Sequence, residues 1–278
     1  MELADGPFDL GEGIWLRQTY AHLFAPFMLA FKPAPPGRYH PGPWKAASGG
    51  FSCNVNAELL IPADIEGRFE SKIGVARTLV FLLRLGVNPA ITLPVFSNYP
   101  FSTLPKVPDN HAELFPFEIQ RRHFPLGVVG GRVKAASAEW IKERWQVTHR
   151  LLAQSAEFTL AVEALDAGQF IHDQALTLVS LWGALEVLFS PSTSELKFRV
   201  SSLISAFLEP PGVSRSNRQK EISKLYDKRS AAAHGKPKHE PEHLLQTFNL
   251  VREVLIRIID KGQVPTKDEL EGMLFGAS

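Results

Sequence analysis

The run His172 to Phe189, HDQALTLVSLWGALEVLF, constrains the chain more than any other. Wound as a helix, it is apolar nearly all round, and such a helix belongs in the centre of a bundle. Its apolar part, Leu178 to Phe189, is too short for a bilayer span and is interrupted by Ser180 and Glu186, so no membrane segment is expected. Glu186 needs a partner if it is buried there. The expected role is to orient Arg229 or His234; the alternative is a rim glutamate facing solvent or another cation.

Helices that can surround this one follow from apolar spacing. Ser137 is the expected N-cap of a helix running toward Leu165, with Trp140 packed inward and Gly168 ending it. Ser194 to Leu208 places Leu196, Val200, Leu203, Ile204 and Phe207 on one side, before Pro210-Pro211-Gly212. Arg215 to His234 and Glu242 to Lys261 complete five helices, and the tail to Ser278 has room for a short sixth. Residues 135–278 are therefore expected to be an all-α bundle.

Residues 1–134 read as an α+β region of unknown role. The stretch GIWLRQTYAHLFAPFMLAF is apolar with mixed periodicity and fits a short strand or a helix. Lys32 to Gly50 holds five prolines and reads as a loop. Cys53 to Ile61 alternates and predicts a strand; Glu66 to Arg84 predicts a helix closed by Gly86. Ala90 to Phe96 looks strand-like, Tyr99 to Asp109 is loop, and Glu113 to Phe124 is a candidate strand pair.

The sharpest local signal is LYDKRSAAAHG, residues 225–235. Three alanines favour helix, Gly235 sits where a C′ residue ends one, and Pro237 bars continuation. His234 then falls on the last turn, where the helix end favours imidazolium. Ser230 and His234 share a face, and Arg229 lies about 140° round, within reach of the same cleft. Read without other knowledge, this is a helix whose arginine meets a neighbouring carboxylate and whose histidine caps the end. From Arg215 to Lys238 eight Lys/Arg oppose Glu221 and Asp227, a local +6 in a chain of net charge +1. Such a strip fits phosphate contact, with Lys224, Lys228, Lys236 and Lys238 as candidate RNA-binding residues; a solvated face is the plain alternative. No aromatic signature of sequence-specific RNA reading is present.

WGALEVLF (182–189), ELKFRVSSLISAFL (195–208) and LYDKRSAAAHG, in this order and spacing, resemble the Apea-like HEPN group. The likeness covers roughly residues 137–262. It implies a HEPN-like helical bundle, a metal-independent endoribonuclease or an RNA-binding relative, and a homodimer whose paired Arg and His residues share one cleft. Carried over, Arg229 and His234 are the motif residues and Ser230 fills the polar position after the arginine. Toxins of the superfamily silenced by adenylylation carry a tyrosine two residues after the histidine; Lys236 stands there, so that regulation is not expected. A role against phage or foreign RNA is implied by resemblance only.

The chemistry suits these residues. RNA brings its own 2′-OH nucleophile, so a histidine titrating near neutrality and an arginine facing the phosphorane are enough, without cofactor or metal. Glu186 joins Arg229, Ser230 and His234 as the expected catalytic set. The string His239-Glu-Pro-Glu-His243 matches a zinc-hydrolase motif only in letters, because Pro241 keeps His239 off the following helix. The glycine clusters at 48–50 and 127–131 lack a phosphate-loop lysine. One cysteine, Cys53, excludes an internal disulfide and, with an acidic N-terminus that lacks signal-peptide features, gives a cytoplasmic expectation. The N-terminal region is left as the place where an unknown regulator would act.

Overall fold

A computed structural model of the chain describes residues 1–120, 123, 131–189, 196–233 and 241–275, the side chains of 230–233 and 241 excepted. A sheet-bearing N-terminal region precedes a helical C-terminal region, as the sequence predicts. The chain forms two compact units, each discontinuous in sequence. The first comprises Met1–Ala63, Thr92–Ile119 and Arg132–Ala138; the second comprises Asp64–Ile91, Gln120–Gly131 and Glu139–Ser278. The expected single cut after 134 thus gives way to a division in which residues 64–91 group with the helices.

In the first unit, β1 (Glu2–Leu3) pairs in parallel with β7 (Arg132–Val133). β2 (Phe8–Asp9) pairs with the start of β3 (Trp15–Ala30), which runs antiparallel to β4 (Trp44–Leu60). β5 (Val95–Ser97) pairs with β6 (Leu114–Pro116). The apolar stretch after Gly13 is therefore a strand, and a long one. The proline-rich loop is shorter than expected, because Trp44–Gly50 is already β4. Of the strand pair expected over 113–124, the described residues are strand only at Leu114–Pro116; 121, 122 and 124 lie outside the described residues. Leu10, Ile14, Leu16 and Val55 form the core at the base of the β3–β4 ribbon. Glu58, buried beside them, accepts a 2.7 Å hydrogen bond from the Phe101 amide.

In the second unit, α1 (Lys72–Gly86) starts six residues later than its apolar spacing predicts. Ser71 caps it by accepting from the Gly74 amide, and the preceding Ala63–Gly67 is a 3-10 turn. The helix is buried over most of its length, down to Arg84, whose Nη1 meets Asp166 at 2.6 Å and whose Nε donates to the Ile91 carbonyl. The single helix expected over 137–165 is two: α2 (Ala135–Gln154) and α3 (Ala156–Ala167). Ser155 separates them. Its amide still bonds to Leu151, while its Oγ caps α3 at the Phe158 amide. Ser137 is no cap, because α2 has begun two residues earlier.

α4 (Gln174–Phe189) is the central helix, capped by Asp173 through the Ala175 and Leu176 amides. It packs against α3, α5 (Leu196–Leu208), α6 (Val213–Ala233) and α7 (Pro241–Lys261). Trp182, Leu185 and Phe189 on α4 are fully buried, as the apolar run requires. The tail holds α8 (Lys267–Phe275) beside α5. Among the described residues no helix is long and apolar enough to cross a membrane.

Candidate active site

Glu186 lies one turn from the end of α4, and α6 runs beside it. Tyr226 and Arg229, three apart on α6, present neighbouring positions to it. The Arg229 Nη2 sits 3.1 Å from Glu186 Oε1 and 3.2 Å from Oε2. The Tyr226 hydroxyl donates to Oε1 at 2.8 Å. The carboxylate placed by sequence in an apolar helix therefore has two partners, one of them the arginine it was expected to orient. The Arg229 side chain is 24% exposed and that of Glu186 18%. The pair is half-buried, at a depth where water screens it only partly.

An aromatic stack backs the pair. Trp182, one turn before Glu186, meets the Tyr226 ring edge-on at 5.1 Å. The Arg229 guanidinium lies over the same ring at 5.4 Å. Burial, the hydrogen bond to Glu186 and the carboxylate charge push the Tyr226 phenol up to about 12, against the opposing pull of Arg229. At neutral pH the phenol keeps its proton and donates it to Glu186 Oε1.

Two buried donors of this cluster, Arg229 Nε and Trp182 Nε1, have no acceptor among the described residues. Among the described residues Arg229 Nη1 has no hydrogen-bond partner either. Among the described residues the guanidinium is held only through Nη2. His234, Lys236 and Lys238 lie outside the described residues, as does the side chain of Ser230, whose backbone belongs to α6. The structure brings together Glu186 and Arg229 from the expected set and adds Tyr226 and Trp182. Sequence reasoning missed both, although the i,i+4 spacing of Trp182 and Glu186 and the i,i+3 spacing of Tyr226 and Arg229 carried the signal.

The basic strip divides in two. Arg215 donates to the Glu209 and Met273 carbonyls, and Arg218 pairs with Glu253 and Glu221, so both serve the fold. Lys220, Lys224 and Lys228 recur every four residues, are exposed, and make no ion pair among the described residues. Lys224 and Lys228, two of the predicted RNA-binding residues, thus belong to an open lysine row on α6. The neighbouring Lys197 of α5 is tied to Asp227 at 2.7 Å.

Among the described residues no three His, Cys, Asp or Glu side chains gather as a metal site would require. Pro241 is the first residue of α7 and His243 its third, with His239 outside the described residues. No family model, curated protein or solved structure matches this chain.

Proposed function

We propose that the chain is a metal-independent endoribonuclease of HEPN type. The observation that carries this reading is the Arg229–Glu186 pair. The arginine singled out by the motif is held by the carboxylate expected to hold it, and its Nη1 has no partner among the described residues. In the proposed reaction His234 takes the proton of the RNA 2′-OH, and that oxygen attacks the adjacent phosphorus. Arg229 stabilises the phosphorane charge, and the departing 5′-oxygen takes a proton from water, while the one held by His234 returns to solvent. The products are a 2′,3′-cyclic phosphate and a 5′-OH. Glu186 and Tyr226 are positioning residues for Arg229, Ser230 a polar neighbour of the phosphate, and the lysine row with Lys236 and Lys238 the phosphate-facing strip. Two protomers sharing one cleft, a cytoplasmic setting and a role in defence against phage or foreign RNA belong to the same reading.

The test is incubation with labelled total RNA and tRNA in EDTA, wild type beside His234→Ala and Arg229→Ala. Cleavage by wild type alone, leaving cyclic-phosphate ends, is the expected result. Cleavage that survives His234→Ala, or that leaves 3′-OH ends, would sink the reading.

A second reading rests on the open lysine row. It makes the helical region a non-catalytic RNA-binding or interaction module, with the N-terminal region sensing a regulator. RNA binding that falls with Lys224→Gln and Lys228→Gln, unaccompanied by cleavage in any protein, favours it.

A further inference from the structure

The β3–β4 ribbon carries an unexplained surface. Nearly every residue from 24 to 50 is exposed, on both faces of the ribbon, and β2 covers the edge of β3 only at Trp15 and Leu16. Two strands alone are marginal in water, and apolar side chains on them are ordinarily covered. Here six aromatic rings are left out: Tyr20, Phe24, Phe27, Phe31, Tyr39 and Trp44 are 60–93% exposed. They are interleaved with Lys32, Arg38 and Lys45, and no Asp or Glu occurs between residues 24 and 50; Arg17, nearer the base, stands opposite Glu58.

The tip is nevertheless ordered by its own bonds. The Trp44 indole donates to the His40 carbonyl at 3.0 Å, the His40 ring bonds to the Lys32 carbonyl at 2.9 Å, and the Arg38 amide to Pro35. Rings on a pre-set backbone lose little entropy when they engage a partner.

We infer that this ribbon binds single-stranded nucleic acid, stacking bases on its exposed rings and pairing phosphates with its unopposed cations. The charge argues for the occupant. A surface with three fixed cations, Lys32, Arg38 and Lys45, and no carboxylate between residues 24 and 50 calls for a polyanion, and its rings call for flat apolar faces. A single strand supplies both along its length, whereas a duplex hides its base faces. The same ribbon of a second copy would bring like charge against like. A bilayer interior would leave the free N–H and C=O groups of two strand edges unsatisfied. The inference goes beyond the proposed cleavage and does not depend on it.

The experiment is fluorescence anisotropy of labelled oligo(U) and oligo(dT) with the full chain, in EDTA, from 50 to 200 mM salt. Oligo(dT) has no 2′-OH, so its binding says nothing for or against the proposed cleavage, and the two readings fail separately. The expected result is a Kd of about 10 µM or tighter at low salt. Phe24→Ala with Phe27→Ala, both at exposed positions, should weaken it by about tenfold to a hundredfold. Lys32→Gln, Arg38→Gln and Lys45→Gln together should lower the log–log salt slope by about 2. Circular dichroism confirms that each variant is folded. No binding, or binding that ignores these substitutions, overturns the inference. So does ribbon-dependent binding of phosphatidylserine vesicles without oligonucleotide binding, which would assign the surface to lipid. A dimer lost in the Phe24/Phe27 variant, again without oligonucleotide binding, would assign it to a second copy.

Discussion

Replacing Glu186 by Gln isolates the charge at the heart of the candidate site. The amide keeps the shape of the carboxylate, and its oxygen still accepts from Tyr226. The attraction to Arg229 is lost. At 3.1 Å, in an effective dielectric of about 20, that attraction is about 5 kcal/mol. Most of it is offset by the water both groups give up on folding. Exposed pairs net about 0–1 kcal/mol, while breaking a buried one costs about 3–5. Side chains 24% and 18% exposed stand between these limits, so Glu186→Gln should destabilise by about 2 kcal/mol. A unit of this size loses about 2–4 °C in Tm per kcal/mol, which gives about 4–8 °C.

The assay is thermal and urea unfolding of Glu186→Gln, Arg229→Gln and the double variant. A coupling of about 1–2 kcal/mol is expected, since each partner loses its reason to be buried when the other goes. Under the ribonuclease reading Glu186→Gln also lowers kcat more than it raises KM, because Arg229 is present but no longer aimed. A Tm within 1 °C of wild type with no measurable coupling would refute the reasoning, and would reduce the pair to a surface contact.

Three further outcomes follow from single groups. The Tyr226 phenol, at about 12 when folded against about 10 unfolded, holds its proton longer in the native state, so its contribution is complete below pH 10 and is lost as pH rises toward 12. That amounts to about 2–3 kcal/mol, and urea midpoints between pH 9 and 12 should fall less steeply in Tyr226→Phe. Burial holds the His149 imidazole below its usual value despite Glu70 nearby, so its contribution is present above about pH 6.5 and is lost as pH falls below that; His149→Gln should flatten the decline of Tm between pH 7 and 5. Gly50 has a φ of +112°, and a Cβ there would lie 2.1 Å from the Ala25 carbonyl oxygen, at the bulge where Pro26 pairs with Gly50 and Phe27 with Ala47. Gly50→Ala should therefore speed hydrogen exchange across residues 25–50 by about tenfold or more while the amides of α4 keep their protection.

The helices were legible where one physical demand dominated. α4 had to be central because it has no polar face, and α5 and α7 announce theirs by apolar spacing. Glu186 was legible for the opposite reason: a charge in an apolar helix demands a partner, and a cation one helix away satisfies it. Tyr226 was not, because a tyrosine in LYDKR reads as a core aromatic until its hydroxyl is seen on the carboxylate. The break at Ser155 was hidden because the apolar pattern runs through it and a lone serine looks like a surface residue. The grouping of α1 with the later helices was hidden as well, since chain order says nothing of which distant segment a buried helix joins.

The ribbon defeated pattern reading on physical grounds. Strand prediction assumes that apolar residues mark the covered face, and beyond Phe24 neither face is covered. Proline and glycine between 33 and 50 then read as loop, although Trp44–Gly50 pairs with β3 or lies in its bulge. Such a failure is informative in itself. Rings left exposed on a ribbon are maintained at a cost in solubility, and the absence of any carboxylate between residues 24 and 50 narrows what can cover them. The cations of α6 have no such rings among them, since Tyr226, its one aromatic residue, is buried. The two basic features therefore ask different things of a nucleic acid: the α6 row meets phosphate alone, and the ribbon meets phosphate and base together. Binding through α6 should depend on salt and ignore base stacking, whereas binding through the ribbon should depend on both.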